Sequence, residues 1–257
     1  MQASADSPFV LSDAVLNAQR RRVFSIKVDG ARFFVKTDRV RKCHMGHRVQ
    51  SLLYRASRNP LIAPTIFPDI ASSMAYEVSK LARLRNKKFP VPEVVFRASR
   101  YFVTRDVGEP LHKVIGKDQE NADYYALKAM RVLARLHRDE IAHGGAQLKN
   151  FTYKDESVYL IDFEENVDRA HFEDMRLRDL ILFLIHAESM RFEVSYAALI
   201  GQYEAISRNA IRPCLLGIAR RYRMLRLAEN PLLNPFGMKD LRAFARVLTK
   251  LAALEGA

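Results

Sequence analysis

The sequence contains no tryptophan, two cysteines, 10 glycines and 10 prolines in 257 residues. Cys43 and Cys214 lie far apart, which argues against a disulfide framework and favours a reducing compartment. The glycines and prolines are too few and too scattered for a low-complexity or collagen-like chain. A hydrophobic content of 49% is sufficient for a folded core, in one large domain or in two lobes around a cleft.

Long apolar runs and targeting signals are also missing. No run approaches the length of a transmembrane helix. Residues 1–8 lack the basic region and apolar stretch of a secretory signal. The sequence therefore predicts a soluble, cytoplasmic protein.

The net charge of +13 is unevenly distributed along the chain. Residues 20–58 carry twelve Lys and Arg against two Asp, and residues 208–250 carry ten against two acidic residues. Residues 106–176 carry fifteen acidic and ten basic residues. Basic clusters attract anionic partners such as phosphorylated glycolipids, acidic membranes or nucleic acids, and a solvated basic surface explains them equally well.

Hydrophobic periodicity predicts strands in the first part of the chain and helices in the second. Asp29-Gly30 is a hairpin turn signal between two alternating runs. The basic segment 37–57 has no assigned role. Strands followed by helices predict an α+β fold with two lobes, 1–105 and 106–257. The predicted strands are 23–28, 31–35, 94–96, 101–104 and 157–161, and the helices are 69–86, 122–139, 175–191, 194–208, 212–228 and 239–254.

One loop pattern carries most of the functional information. His143 and Asn150, followed twelve residues later by Asp162-Phe163, have the spacing of the catalytic and metal-binding loops of kinases. In that pattern, His-x-Asp-x-x-x-x-Asn precedes a strand and Asp-Phe-Gly. Asn150 and Asp162 would supply oxygen ligands to Mg²⁺. Gly145 stands where the proton-accepting aspartate is expected.

Two residues nearer the N-terminus fit the same chemistry. Lys36 closes an apolar strand, as does the lysine that neutralises ATP phosphates in kinases, and Glu77 lies in the next helix, where it can hold that lysine. An ordinary ion pair, or no contact, is the alternative. The triplet that begins at His137 also reads His-Arg-Asp, but no Asn follows at the required spacing, so Asp139 is predicted to end the preceding helix.

Residues 23–186 resemble the lipopolysaccharide core kinases (the Kdo and heptose kinases) and the related RIO-type kinases. The resemblance rests on residues 136–137, 143–144, 160–164, 173–174 and 179–180. It implies a protein-kinase-like fold, ATP, Mg²⁺ and transfer of the γ-phosphate to a hydroxyl. Asp179 matches the helix aspartate that braces the catalytic loop. Thr104, Asp106 and Val107 lie in a segment similar to the strand and hinge over which adenine docks.

The departures from this pattern concern catalysis. No Gly-rich loop is present, Glu164 replaces the glycine of Asp-Phe-Gly, and Gln147 replaces a common lysine. General-base assistance contributes on the order of 10²–10⁴-fold, so Gly145 predicts weak or no transfer with nucleotide binding retained. Three explanations are open for Gly145: a natural pseudokinase, an introduced inactivating change, or another group, such as Glu164 or a substrate phosphate, that serves instead.

Three functions follow from the resemblance. The first is phosphorylation of a hydroxyl on a lipopolysaccharide core sugar, an anionic acceptor, with possible peripheral contact with the inner membrane. The second is a pseudokinase that binds nucleotide and acts as a regulator or scaffold. The third is a protein kinase or an RNA-linked RIO-like kinase. The basic segment 215–228 fits either an anionic membrane surface or, preferably, a helix with its Leu and Ile residues in the core.

Overall fold

A computed structural model describes residues 7–38, 70–163, 172–230 and 239–255. The chain divides into two compact units. The first comprises residues 1–108 and 161–166, and the second comprises residues 109–160 and 167–257. Residues 39–57 of the basic segment, including the helix expected around 49–54, and Glu164 lie outside the described residues.

The first unit is built on a four-stranded antiparallel sheet of strand order β1-β2-β4-β3. Asp29 and Gly30 both have positive φ, at 49° and 76°, which is the geometry of the two-residue turns that match strand twist. The described residues of this unit include two helices. The elements are α1 (Asp13–Ala18), β1 (Val23–Val28), β2 (Ala31–Thr37), α2 (Ile70–Asn86), β3 (Val94–Arg97) and β4 (Tyr101–Arg105).

Alternation along β2 divides the side chains of this strand between two surroundings. Phe33 and Val35 belong to a buried cluster with Leu16 of α1 and with Tyr101 and Val103 of β4. The Tyr101 hydroxyl donates to the Phe9 carbonyl at 3.0 Å and fixes the segment before α1. Since Phe33 and Val35 point into this cluster, Lys36 points away from it, towards α2.

The second unit combines a small antiparallel sheet of order β5-β6-β7 with most of the helices. Its sequential elements are β5 (Glu109–Pro110), α3 (Leu111–Lys117), α4 (Ala122–Arg138), β6 (Phe151–Lys154), β7 (Ser157–Leu160), α5 (Phe172–Ser189), α6 (Tyr196–Ser207), α7 (Arg212–Arg221) and α8 (Lys239–Ala253). The described residues of this unit also contain three 3₁₀ segments: Gln119–Asn121 before α4, Leu148–Asn150 before β6 and Arg223–Glu229 after α7. In the described ranges no helix is long and apolar enough to cross a membrane.

The predicted α+β fold, with an antiparallel sheet in the first unit and a largely helical second unit, is therefore confirmed. Asp139 caps α4, as the analysis of the His-Arg-Asp triplet predicted. One helix was predicted too long: α7 ends at Arg221, not Ala228. The Arg226 guanidinium donates to the Ala219 carbonyl at 3.1 Å, so a side chain takes the place of the next helical turn at this end. The expected core packing of this segment is wrong for Leu225 and Leu227, which are exposed, and Met224 is exposed as well.

Candidate functional site

A buried lysine in the first unit is held between two carboxylates. The Lys36 ammonium of β2 lies 2.8 Å and 2.7 Å from the two carboxylate oxygens of Glu77 in α2. It also lies 2.7 Å from Asp162 Oδ1. The Lys36 and Glu77 side chains are 11% and 3% exposed, whereas Asp162 retains 25% exposure. The structure therefore brings together three residues that are widely separated in the sequence.

Lys36 pairs with both carboxylates in a largely buried place. Charged groups that are taken out of water cost several kcal/mol each unless they are well paired and hydrogen-bonded. The partly exposed Asp162 carboxylate, which shares Lys36 with Glu77, is suited to bind a cation. The Lys36 ammonium, held in place by both carboxylates, is suited to bind a phosphate.

The backbone at Asp162 is in an uncommon conformation. Its φ is +68°, in the left-handed region, where a residue other than glycine costs on the order of 1–3 kcal/mol and where functional residues are enriched. The next side chain, Phe163, is fully buried. The Lys80 ammonium of α2 lies 5.0 Å from the Phe163 ring centre, within cation–π range. Helix α2 is therefore linked to both residues: its Glu77 shares Lys36 with Asp162, and its Lys80 lies over the Phe163 ring.

The second unit contains the loop with the missing aspartate. The Asn150 side-chain amide donates to the Gly145 carbonyl at 2.8 Å, and the Gln147 backbone amide donates to the same oxygen at 2.7 Å. The Gly145 amide donates to His143 Nδ1 at 3.3 Å. The backbone carbonyl and amide of Gly145 therefore make hydrogen bonds that stabilise the loop. Because the donor end of the Asn150 amide is engaged at Gly145, its oxygen is oriented away from that carbonyl.

Asp179 of α5 is the acceptor around which this loop is arranged. Its carboxylate is fully buried and accepts from the amides of His143 (2.8 Å), Gly144 (3.0 Å) and Ala146 (3.2 Å). Gly144 has a φ of +94°, which only glycine adopts without strain. Burial raises the pKa of Asp179, but the hydrogen bond from His137, the charges of His137 and His143 and the Gly144 amide outweigh it and lower the pKa overall.

Residues 31–180 match the RIO domain, a match that spans more than half of the chain. The chain belongs to the RIO domain family. The matched region contains Lys36, Glu77, Gly145, Asn150, Asp162 and Asp179. The RIO domain places the protein among the kinase-like, ATP-binding phosphotransferases. The narrower resemblance to lipopolysaccharide core kinases does not follow from this match.

A relative is found in Haemophilus influenzae, in a protein described as uncharacterized. The two sequences are 24% identical over 119 residues. The match covers 45% of this chain and 49% of the relative, so the chain spans about half the length of that protein.

Residues 104–107, which were predicted to contact adenine, lie at the end of the first unit. Thr104 is buried in β4, opposite Phe34 of β2. Asp106 pairs with Arg32 at 2.8 Å and accepts from the Gly108 amide at 3.0 Å. Val107 lies between Asp106 and Gly108 in the chain and is half-buried. The Asp106 contacts fix the path of the chain here, and adenine binding at this segment stays a prediction.

Two residues support the loop of the RIO domain in a role that the sequence pattern did not predict. His137 of α4 contacts the Asp179 carboxylate through Nε2 at 3.2 Å and the Tyr203 hydroxyl through Nδ1 at 2.9 Å. All three side chains are buried. The available signal was the position of His137, on the same face of α4 as the buried Met130 and Leu133. A histidine on a core face needs polar partners.

A pair of histidines lies elsewhere in the second unit and was also missed. The rings of His112 in α3 and His186 in α5 are 5.7 Å apart, edge to face. Burial, followed by the charges of His112 and Lys149, lowers the pKa of His186 to about 4. The pKa of His112 is lowered too, chiefly by burial and by Lys113 and Lys149. Lys149 belongs to the predicted catalytic loop.

Proposed function

We propose that this RIO domain binds ATP with Mg²⁺ and is a phosphotransferase-like protein that lacks the residue which activates the acceptor. The observation that carries the proposal is the Lys36 ammonium, 2.7–2.8 Å from Glu77 and Asp162. This is the arrangement that kinase-type phosphoryl transfer requires of its lysine, its helix glutamate and its metal-binding aspartate.

The chemistry of the residues present fits the nucleotide and its metal. Lys36 offers an ammonium to the phosphates, while Asp162 and Asn150 offer carboxylate and amide oxygens, which Mg²⁺ prefers. Mg²⁺ is commonly bound through one or two protein oxygens together with substrate phosphates. Among the described residues no group of three or more His, Cys, Asp or Glu could hold a metal by itself, so a metal shared with a nucleotide suits this chain best. Bound Mg²⁺ would neutralise charge on the phosphates.

The protein's own residues divide the remaining work. Glu77 holds Lys36 in place, and the buried Asp179 fixes the loop amides of His143, Gly144 and Ala146. Asn150 is oriented by the Gly145 carbonyl. Gly145 has no side chain to accept the proton of an acceptor hydroxyl. Positioning is therefore retained, and general-base assistance of about 10²–10⁴-fold is lost.

The proposed acceptor is a hydroxyl of a phosphorylated lipopolysaccharide core sugar at the inner membrane. Two features support it: the resemblance of residues 136–137, 143–144 and 160–164 to the core kinases, and the net charge of +13. A basic protein is attracted to an anionic glycolipid. The same loop favours a second candidate, a nucleotide-binding pseudokinase, because every loop contact described above is made without a side chain at Gly145.

Transfer of label from γ-labelled ATP to purified core glycolipid tests the acceptor. The proposal predicts slow transfer by the natural chain that rises in Gly145→Asp, and no transfer to glycolipid from which the core sugars have been removed. Nucleotide binding without transfer by either protein would reject the acceptor and leave the pseudokinase. Absence of nucleotide binding would reject both.

A further inference from the structure

Three large apolar side chains are exposed within four residues of the 3₁₀ segment Arg223–Glu229. Met224, Leu225 and Leu227 are 68%, 37% and 53% exposed. We call these three side chains the Met224 ridge. Single exposed apolar residues are ordinary on protein surfaces, but a contiguous group marks a place where another surface is met.

The backbone conformation explains why the ridge points outwards. In a 3₁₀ helix, residues three apart lie directly above one another, so Met224 and Leu227 form one edge. Leu225 shares its edge with Ala228, which is buried. The segment is tied down on the protein side, since Arg226 donates to the Ala219 carbonyl at 3.1 Å and Glu229 accepts from the Thr249 hydroxyl of α8. The ridge is therefore held in an exposed position by buried and polar contacts.

Arginines cluster around the ridge in the sequence. Residues 212–230 contain five arginines and one acidic residue, Glu229. Arg220, Arg221 and Arg223 are exposed. Arg220 pairs with Glu255, whereas the Arg221 guanidinium lies 5.8 Å from the Tyr222 ring centre. Tyrosine and arginine beside apolar side chains are typical of segments that lie in the headgroup region of a bilayer.

We infer that the Met224 ridge and the arginines around it dock the second unit on an anionic phospholipid surface. Apolar side chains gain by entering the acyl boundary, and each basic residue near an anionic bilayer adds about a five-fold gain in binding. Charge complementarity selects this occupant over a neutral apolar partner. The ridge is also small for a stable protein–protein interface, which needs roughly 20–30 residues a side.

Vesicle co-sedimentation tests the inference. The full chain is mixed with vesicles of phosphatidylcholine alone or with one third phosphatidylglycerol, and bound protein is measured against lipid concentration. The expected result is binding to the anionic vesicles and at least ten-fold weaker binding to the neutral ones. Met224→Asp/Leu227→Asp should weaken anionic binding by roughly ten-fold or more. Arg221→Gln/Arg223→Gln should weaken it by roughly 25-fold at low salt.

Met190→Asp is the matched control, because Met190 is 41% exposed, is followed by an arginine and belongs to the same unit. It should leave vesicle binding within two-fold of the natural chain. Equal binding to neutral and anionic vesicles, an equal loss in Met190→Asp, or unchanged binding in the ridge variant would each overturn the inference. So would a dimer in light scattering that only the ridge variant abolishes, since a second copy would then cover the ridge. The assay contains no nucleotide, so its failure is distinct from failure of the proposed function.

Discussion

The side-chain amide of Asn150 donates to the carbonyl oxygen of Gly145 at 2.8 Å. The predicted metal ligand is thus oriented by the backbone of the residue whose side chain is missing. Gly145 is not among the glycines with positive φ in the described chain, which are Gly30, Gly108 and Gly144. An aspartate therefore fits the backbone at position 145 without the strain that it would suffer at Gly144. The loop is built to hold Asn150 whether or not a carboxylate stands at position 145.

Replacement of Lys36 by methionine should weaken nucleotide binding. The substitution keeps an apolar stem of similar length and removes the ammonium that pairs with Glu77 and Asp162. We expect Mg-ATP affinity to fall at least ten-fold in isothermal titration calorimetry, because the phosphates lose their cation. Lys27→Met, at an exposed position of β1, is the matched control and should bind like the natural chain. Equal affinity in both variants would remove Lys36 from the nucleotide site.

Replacement of Asp179 by asparagine should loosen the loop at residues 143–150. The carboxylate accepts three backbone amides, and an asparagine would present one of them with a second donor. The expected cost is roughly 3 kcal/mol, since hydrogen bonds to a buried charged group are lost. Hydrogen exchange of the His143, Gly144 and Ala146 amides should accelerate on the order of 100-fold. Asp174→Asn, in the same helix, should not change these rates, and unchanged exchange in Asp179→Asn would show that the loop is held by other contacts.

The stability of the protein should decline between pH 6.5 and pH 4 in a way that depends on His186. Its folded pKa of about 4 lies below the ordinary value of about 6.5, so the unfolded chain binds the extra proton in this range. The contribution is therefore complete above pH 6.5 and is lost as the pH falls towards 4. Allowing for partial exposure, the loss should be roughly 1–2 kcal/mol. Urea unfolding of the natural chain and of His186→Phe at pH 7 and pH 5 measures it, and an identical decline in both proteins would contradict this assignment.

The secondary-structure elements that depend on residues close together in the sequence were predicted from local patterns. The β1–β2 hairpin follows from alternation around Asp29-Gly30, and α2 follows from its apolar spacing. The Lys36–Glu77 contact was also expected, because the loop at His143 and Asn150 identified which lysine and glutamate to pair. The roles of these residues in binding nucleotide and metal stay predictions until they are measured.

The features that were missed depend on long-range packing. Nothing near His137 indicates that Tyr203, 66 residues later, completes its hydrogen bonds. Helices α1 and α3 are short, at six and seven residues, and are stabilised by burial of residues such as Leu16 and Leu111 rather than by a long periodic pattern. The end of α7 was predicted too late because the apolar spacing continues through Leu227. This spacing does not show that the Arg226 side chain caps the helix.

The central claim is that this chain retains a nucleotide and metal site and lacks only the acceptor-activating carboxylate. Its most direct test compares Mg-ATP binding and γ-phosphate transfer in the natural chain and in Gly145→Asp. We predict equal nucleotide affinity, within about three-fold, and transfer that is faster by about 10²–10⁴-fold in the variant. Gly144→Asp, one residue earlier at a φ of +94°, should give no gain. Unchanged transfer in Gly145→Asp despite normal nucleotide binding, or no nucleotide binding by either protein, would contradict the claim.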